Sequence, residues 1–334
     1  MGLEPTTPGL GSQCSTTELR PRASDSSRAL TAPSHVARTV FAVRALVVAL
    51  GVSILIACTG AAGLAPAATP VDASVFGGLG TWVDIYDGAV YSAPERTAAQ
   101  IAARGVKTVW VETANDRAAV DVVKPVQLGL FVEALHARGV RVVSWYLPGH
   151  VQPALDTRRA LAMLSFRTPS GDAFDGVSLD VESTRLKNAG LRSRRAVALA
   201  RRLRLEAGET PLAIIPFNPR GLERHPRAWP RFPWMELAEV ADAFAPMVYT
   251  GGGVNGFDAT YGYVTRALRL LRVQTGNPDA QIHVIGGVAD RMGPEELAGF
   301  VAAVSDDGNT IGVSLYDWMT TRPAAWRALA PLSR

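Results

Sequence analysis

The stretch Ala137-Arg-Gly-Val-Arg-Val-Val-Ser-Trp-Tyr146 contains the unit from which this chain is built. A glycine ends a helical pattern, and a Val-rich run follows it directly. The segment Ala103-Arg-Gly-Val-Lys107 repeats the first half of this stretch before another apolar run. Glycine is a common stop signal for helices, and short apolar runs are typical of strands buried on both faces of a parallel sheet. The two segments therefore predict a repeating helix–strand fold.

Eight apolar runs of strand length alternate with helical patterns along the chain. Their bounds are 81–86, 107–112, 141–146, 176–181, 212–217, 243–249, 282–287 and 312–316. A (β/α)8 barrel usually has about 250 residues, which fits residues 80–334. A doubly wound open sheet is the alternative, but it would be expected to carry a glycine-rich phosphate loop after its first strand, where this chain has none. The sequence thus predicts the α/β class, with a TIM barrel over residues 80–334.

The residues before the barrel differ from it in composition. Residues 1–37 are rich in Ser, Thr, Pro and Arg without apolar periodicity, which predicts a disordered leader. In residues 38–65, Arg38 and Arg44 precede an apolar run, and this is the pattern of an export signal. Residues 66–79 are predicted to form a linker.

The segment Leu55-Ile-Ala-Cys58 resembles a bacterial lipobox, which implies lipidation of Cys58. An uncleaved transmembrane helix over about residues 45–65 and plain secretion remain open as alternatives. All three interpretations place the barrel on the extracytoplasmic side, because positive charge stays inside. The N-terminal segment is therefore expected to attach the protein to the cell membrane or to release it.

Charge, cysteine and histidine content exclude several classes of site. The chain has 34 Lys and Arg against 30 Asp and Glu, without a basic stripe interleaved with aromatics, so no nucleic-acid partner is expected. Cys14 and Cys58 both precede the barrel, which excludes a disulfide framework or a Cys-bearing zinc site there. The five histidines are too scattered for a metal triad, and structural roles are expected for His136 and His283. We expect no metal and no cofactor.

Acidic and aromatic residues end most of the predicted strands, and in a TIM barrel that face carries the active site. Carboxylates transfer protons in glycoside hydrolysis, while aromatic rings stack on sugars. The residues at this rim are Asp84, Asp87, Glu112, Trp145, Tyr146, Asn218, Asp290, Tyr316, Asp317 and Trp318. Of these we expect substrate contacts from Asp84, Glu112, Trp145, Tyr146, Asn218, Asp317 and Trp318.

The fourth predicted strand lies in the segment Phe174-Asp-Gly-Val-Ser-Leu-Asp-Val-Glu182. Ser178, Asp180 and Glu182 occupy alternate positions, so their side chains share the inner face of the barrel. Two carboxylates this close cannot easily both be ionised, and the one that keeps its proton can act as a general acid near neutral pH. Asp175 lies outside this register and is expected to anchor the start of the strand.

This segment resembles the strand-four signature of glycoside hydrolase family 18, the chitinases and endo-N-acetylglucosaminidases, whose pattern is D-G-x-D-x-D-x-E. Asp175, Gly176, Asp180 and Glu182 match, and Ser178 stands where the family has an aspartate. A carboxylate pair of this spacing after a barrel strand is also similar to that of the family 25 lysozymes.

Two further segments are similar to family 18. Met247-Val-Tyr249 resembles the M-x-Y-D motif, with Thr250 in place of its aspartate, and Trp318 resembles the tryptophan that the family keeps at the floor of the sugar site. The resemblance covers about residues 80–334 and implies a TIM barrel. It also implies that Met247 and Trp318 lie in the substrate site.

The activity implied by the resemblance is substrate-assisted, retaining hydrolysis of an N-acetylhexosamine-containing polysaccharide or peptidoglycan. Glu182 would protonate the leaving oxygen and later activate water. Asp180 would orient the substrate's N-acetyl group, whose carbonyl oxygen attacks the anomeric carbon and accepts a hydrogen bond from Tyr249.

Two alternatives remain open. In the first, a distant carboxylate such as Asp84, Glu112 or Asp317 partners Glu182 in a glycosidase of another mechanism. In the second, the barrel is a catalytically inactive sugar-binding or scaffold protein at the cell surface, which the departures at Ser178 and Thr250 would favour.

Overall fold

The computed structural model describes residues 71–333. Eight parallel strands form a closed barrel in which each strand pairs with the next in sequence and the eighth pairs with the first. The strands are β1 (Gly78–Val83), β2 (Thr108–Asn115), β3 (Arg141–Leu147), β4 (Gly176–Val181), β5 (Leu212–Pro216), β6 (Ala243–Phe244), β7 (Ile282–Gly287) and β8 (Thr310–Tyr316). The predicted TIM barrel is confirmed.

Helices connect the strands and form the outer layer. They are α1 (Gly88–Ser92), α2 (Pro94–Ala102), α3 (Pro125–His136), α4 (Pro153–Ser165), α5 (Ala189–Ala207), α6 (Pro219–Arg224), α7 (Trp234–Ala238), α8 (Phe257–Thr275), α9 (Pro294–Asp307) and α10 (Pro323–Leu329). Proline begins six of them, α2, α3, α4, α6, α9 and α10, where its fixed φ suits the first turn and its missing N–H costs no hydrogen bond. Short 3-10 helices span Ala73–Phe76, Ala289–Arg291 and Ala330–Leu332.

The sixth strand is shorter than the predicted run over 243–249. Pro246 has no N–H to donate to a ladder, and the regular strand ends before it. Main-chain pairing with β7 then resumes, since the N–H groups of Val248 and Thr250 donate to Ile285 and Gly287, both at 2.8 Å. The chain therefore still follows the barrel wall as far as residue 250.

Aromatic and imidazole rings fill the interior of the barrel. Trp82 stacks on Trp110 with a centroid distance of 4.7 Å, and its Nε1 donates to Oγ of Ser314 at 2.7 Å. His283 is fully buried, and burial lowers its pKa to about 4, so the imidazole is neutral. Its Nδ1 donates to the Phe76 carbonyl at 2.7 Å, and its Nε2 accepts from Ser314 at 2.9 Å. The structural role expected for His283 is confirmed.

The predicted leader, the apolar segment and Cys58 lie outside the described residues. Within the predicted linker, Asp72 caps the first 3-10 helix by accepting a hydrogen bond from the N–H of Ser74 at 2.8 Å, and β1 begins at Gly78. In the part of the chain from 71 to 333, no helix is both long enough and apolar enough to cross a bilayer. The predicted domain bounds and the membrane attachment stay predictions.

Candidate active site

Strand β4 carries the central carboxylates of the barrel mouth. Ser178 pairs in register with Trp145 of β3 and Asp180 with Ile215 of β5, and Trp145 and Ile215 belong to the cluster that fills the barrel interior. Asp180 is only 6% exposed, whereas Glu182, one residue beyond the strand, is partly exposed. The expected alternation along β4 thus brings Asp180 and Glu182 together at the carboxyl end of the barrel.

The surroundings of Asp180 and Glu182 favour the protonated form of these carboxyls. Burial raises the pKa of Asp180 well above its ordinary value, and the charges of Glu182 and Glu112 raise it further. Burial also raises the pKa of Glu182. Both shifts favour a state in which the pair keeps one proton, because ionising both carboxyls leaves adjacent charges in a poorly solvated position.

Hydrogen bonding leaves Asp180 available to a ligand. Within residues 71–333, Oδ1 of Asp180 is buried and has no hydrogen-bond partner. The neighbouring hydroxyl of Ser178 is committed elsewhere, since it donates to the Ser144 carbonyl at 2.8 Å. A buried carboxylate oxygen without a donor is costly, so it is suited to accept from a bound molecule.

Tyr249 lies beside the pair. Burial raises the pKa of its phenol well above the ordinary value, and the nearby charges of Glu182, Asp180 and Asp317 raise it further. The phenol therefore stays protonated and can donate a hydrogen bond at any pH near neutrality. Met247 is buried and contributes to the same interior cluster, against which Tyr249 packs.

Glu112 of β2 is a third carboxylate at the mouth, and its two oxygens have fixed partners. Oε2 accepts from the N–H of Ile85 at 3.1 Å, and Oε1 accepts from Nδ2 of Asn115 at 3.1 Å. Burial raises the pKa of Glu112 to about 7, against the opposing effect of these bonds. Glu112 is thus held rigidly at the mouth, near enough to Glu182 that the two charges interact.

Three aspartates form an acidic group at the same end of the barrel. Oxygens of Asp84, Asp87 and Asp317 lie within 4.8 Å of one another. Burial and the charges of Asp84 and Asp317 raise the pKa of Asp87 to about 7. Carboxylate oxygens are the ligands that Ca²⁺ and Mg²⁺ prefer, but the grouping alone assigns no metal.

Aromatic side chains complete the inner face. Trp145 is 5% exposed, and its buried Nε1 has no hydrogen-bond partner among residues 71–333. Tyr316, the last residue of β8, lies 6.0 Å from Tyr249 between ring centroids, and its hydroxyl donates to Oδ2 of Asp84 at 3.3 Å. Aromatic rings beside carboxylates are the combination that a carbohydrate site requires.

The sequence matches no protein-family model and no curated protein. In fold, the chain is similar to a chitinase from Chromobacterium violaceum, with 16% identity over 77% of this chain and 98% of that chain and a TM-score of 0.53. A GH18 chitinase from Pseudoalteromonas aurantia is similar in fold as well, with 13% identity over 77% of this chain and 100% of that chain and a TM-score of 0.52. The spore cortex-lytic enzyme SleL of Bacillus cereus has 9% identity over 76% of this chain and 73% of that chain, with a TM-score of 0.54.

The domain has the TIM-barrel fold of these solved structures. At these identities the likeness concerns the fold, and at that level the resemblance to family 18 is confirmed. The arrangement of Asp180, Glu182 and Tyr249 at the mouth is seen in this chain itself and does not depend on the structural neighbours.

Tyr146 does not lie in the mouth of the barrel, contrary to the prediction. It follows Trp145 directly on β3, and consecutive strand residues face opposite sides of the sheet. Its ring packs into the outer core, the apolar cluster between the strands and the surrounding helices. Its hydroxyl donates to Oδ1 of Asp156 in α4 at 2.7 Å. Tyr146 therefore fastens a helix to the outside of the barrel, and its prediction as a sugar ligand was wrong.

Trp318 also lies on the outside. Its ring is 5.7 Å from that of Trp326 in α10, and it packs against the outer core. The aromatic residue that β8 directs inward is Tyr316. β8 ends at Tyr316, so the alternation of the strand does not extend to Trp318, and the position predicted for Trp318 is corrected accordingly.

Asn218 acts as a helix cap. Its Oδ1 accepts from the N–H groups of Arg220 and Gly221 at the start of α6, and its Nδ2 donates to the Tyr263 hydroxyl at 2.7 Å. These bonds engage Oδ1 and one N–H of Nδ2 in holding α6 and α8, and a substrate contact from Asn218 stays a prediction. Asn115 was missed, because β2 continues to Asn115 rather than ending at the predicted residue 112.

Proposed function

We propose that the chain is an extracytoplasmic glycoside hydrolase that cleaves an N-acetylhexosamine-containing polysaccharide, with Glu182 as its general acid and base. The proposal rests on the Asp180–Glu182 pair. Both carboxyls have raised pKa values, and Oδ1 of Asp180 has no partner in the described chain. A shared proton and an available acceptor oxygen are the two requirements of the reaction.

In the first step the substrate's amide N–H donates to Asp180, which favours the ionised form of that carboxyl. The shared proton then resides on Glu182, where it is transferred to the glycosidic oxygen as the bond to the anomeric carbon breaks. The acetamido carbonyl oxygen attacks that carbon and forms a cyclic oxazolinium ion. Tyr249 donates to this oxygen before the attack and so orients it.

In the second step water attacks the anomeric carbon and the cyclic intermediate opens. The Glu182 carboxylate accepts a proton from that water, which returns the pair to its starting state with one shared proton. Two displacements at one carbon retain its configuration. This route is a substrate-assisted exception to the scheme in which a second enzymatic carboxylate attacks the sugar.

Two residues depart from the family 18 pattern and support the competing proposal of a sugar-binding barrel without turnover. The Ser178 hydroxyl is bound to the Ser144 carbonyl, so it supplies no proton or charge to Asp180. Thr250 is buried and supplies no carboxylate at the position directly after Tyr249. A protein that binds oligosaccharides but never releases product would establish this alternative.

The experiment is hydrolysis of fluorogenic N-acetylglucosamine oligomers and of peptidoglycan by the full-length protein. Peptidoglycan is included because one structural neighbour is named as a spore cortex-lytic enzyme. Glu182→Gln should lower the rate by about 10²–10⁴-fold, the usual contribution of a positioned acid. Glu236→Gln, which alters an exposed residue of α7, should leave it unchanged. Equal rates for all three proteins would reject Glu182 as the acid.

The cellular location is a separate proposal, supported by Arg38 and Arg44 before the apolar run and by Cys58 after it. A lipid on Cys58 would attach the protein to the outer face of the cell membrane. Metabolic labelling with a radioactive fatty acid should mark the wild-type chain but not Cys58→Ser. Membrane association of both chains without label would instead favour the single-pass helix.

A further inference from the structure

Tyr86 is an exposed aromatic residue at the rim of the barrel mouth. Its side chain is 72% exposed, and it lies between β1 and α1, two residues after Asp84. A large ring this exposed ordinarily gains nothing from folding, and its rotamers would be free. In this structure, however, hydrogen bonds to the hydroxyl and to the backbone N–H of Tyr86 restrict its side chain.

The hydroxyl of Tyr86 is held at the end of β2. It accepts a hydrogen bond from Nδ2 of Asn115 at 3.1 Å, and the same Nδ2 donates to Oε1 of Glu112 at 3.1 Å. Asn115 is itself 6% exposed, and its Oδ1 accepts from the N–H of Arg117 at 3.0 Å. The amide that holds the Tyr86 ring is therefore fixed on both of its sides.

The backbone around Tyr86 is fixed as well. The N–H of Tyr86 donates to Oδ1 of Asp84 at 2.7 Å, and the N–H of Asp84 donates to Oδ2 of Asp87 at 3.1 Å. The neighbouring Ile85 donates through its N–H to Glu112 and accepts from Nζ of Lys124 at 3.0 Å. A segment bonded at each of these points presents the ring of Tyr86 in one orientation.

A fixed aromatic ring with solvent-exposed surface suits a pyranose. The C–H face of a sugar ring stacks on an aromatic face, and a pre-ordered ring loses little entropy on binding. The partly exposed carboxylate of Asp84 lies beside the backbone N–H of Tyr86 and can accept hydrogen bonds from sugar hydroxyls. Through Asn115 the ring is also connected to Glu112, whose charge interacts with Glu182 at the centre of the mouth.

We propose that Tyr86 is the stacking platform of an outer subsite that binds a sugar ring of the polysaccharide away from the cleaved bond. This inference rests on the proposed function, because it takes its ligand class from it. It adds a substrate-binding residue and a preference for longer chains. A subsite at the rim contributes to the binding of long oligosaccharides and not to that of short ones.

The test measures binding rather than turnover, so that it does not depend on catalysis. Calorimetric titration of full-length Glu182→Gln with N-acetylglucosamine oligomers of increasing length gives the reference affinities. Adding Tyr86→Ala should weaken binding of the long oligomers by about three- to tenfold, the range expected for one aromatic contact, and leave the disaccharide unaffected. Adding Tyr86→Phe keeps the ring but removes its hydrogen bond to Asn115, and should give a smaller loss.

Leu205→Ala, a change at an exposed apolar residue of α5, serves as the matched control and should alter no affinity. Equal weakening at every length, or no weakening at any length, in Tyr86→Ala would overturn the outer subsite while leaving the proposed function in place. Failure of the Glu182→Gln reference to bind any oligomer would reject both the subsite and the N-acetylglucosamine ligand.

Discussion

Nε2 of His136, the last residue of α3, lies 3.0 Å from Oδ2 of Asp175. Its Nδ1 lies equally close, at 3.0 Å, to Oδ2 of Asp172. Both ring nitrogens can donate only when the imidazole is protonated, so the two contacts favour the cationic form of His136 between the two carboxylates. Asp175 also accepts from the N–H of Val142 at 2.7 Å, which ties the beginnings of β3 and β4 together. Asp175 thus anchors the strand as expected, far from the mouth.

The stability of the barrel should therefore depend on the charge of His136. Hydrogen bonding to Asp175, with a further contribution from Asp172, raises the pKa of His136 above 6.5. The stabilisation is complete below the unfolded value of 6.5 and is lost as pH rises through the higher folded value. We expect His136→Gln to lower the free energy of unfolding by about 1 kcal/mol near pH 6 and by less near pH 9. Urea unfolding of both proteins at the two pH values measures this, and a difference independent of pH would contradict it.

The sequence was sufficient to predict the barrel because alternating strand and helix signals leave few topologies, and Asp180 and Glu182 because alternation along β4 is strict. It was insufficient for Tyr146 and Trp318. Tyr146 adjoins the inward Trp145 on β3, and composition alone does not say which of two adjacent aromatic residues faces inward; the register of the strand decides this, and a shift of one residue reverses it. Trp318 lies two residues past the end of β8, where the alternation of the strand no longer applies.

Two further rim residues could not be predicted for a different reason. The positions of Asn115 and Tyr86 depend on hydrogen bonds between segments that are distant in sequence, such as the contact from Asn115 to Tyr86. No periodicity marks such contacts. The one local feature that bears on Asn115 is the length of β2, which continues three residues past the predicted end at residue 112 and so carries Asn115 to the rim.

Two glycines beside His283 should tolerate no side chain. A Cβ at Gly312 would overlap Nδ1 of His283 and come within 2.5 Å of the Phe76 carbonyl oxygen, and one at Gly80 would lie 2.8 Å from Cε1 of His283. Overpacking of a filled core costs about 1–3 kcal/mol, and this site has backbone on one side that cannot move aside. We expect Gly312→Ala to lower the urea midpoint accordingly.

Gly262 in α8 provides the control for that experiment, since nothing lies within 4 Å of a Cβ built there. Alanine in an exposed helix should stabilise the protein by about 0.5–1 kcal/mol. Opposite shifts of the midpoint in Gly312→Ala and Gly262→Ala are therefore expected. Equal midpoints for Gly312→Ala and wild type would show that the interior around His283 is looser than these distances imply.

The proposed acid should lose its proton at a pH that depends on its neighbour. Activity is expected to fall on the alkaline side, as the carboxyl with the raised pKa ionises. In Asp180→Asn the adjacent negative charge is absent, which lowers the pKa of Glu182, so the alkaline limb of kcat should move to lower pH. Asp279→Asn, a change at an exposed residue before β7, should leave the limb in place. If the alkaline limb of kcat did not move in Asp180→Asn, the group that titrates there would not be coupled to Asp180.

An ion pair across the rim should position the segment that carries Glu182. Arg185, just beyond Glu182, pairs with Asp116 at the end of β2. The fit depends on Gly149, where a Cβ would lie 2.5 Å from Oδ2 of Asp116. Because the arginine side chain is 48% exposed, the pair is worth about 0.5–1 kcal/mol, and Arg185→Gln should lower kcat by about two- to fivefold.

The contribution of this pair is measured by a double-mutant cycle with Gly149→Ala. Since Gly149→Ala displaces Asp116, it should give a loss of similar size, and the double variant should lose little more, because one interaction cannot be removed twice. Raising the salt concentration should bring wild-type kcat towards that of Arg185→Gln, since mobile ions screen an exposed pair. Arg201→Gln breaks a comparable surface pair with Glu239 and should leave kcat unchanged. Additive losses that salt does not alter would show that Arg185 and Gly149 act separately, and would leave Glu182 positioned by β4 alone.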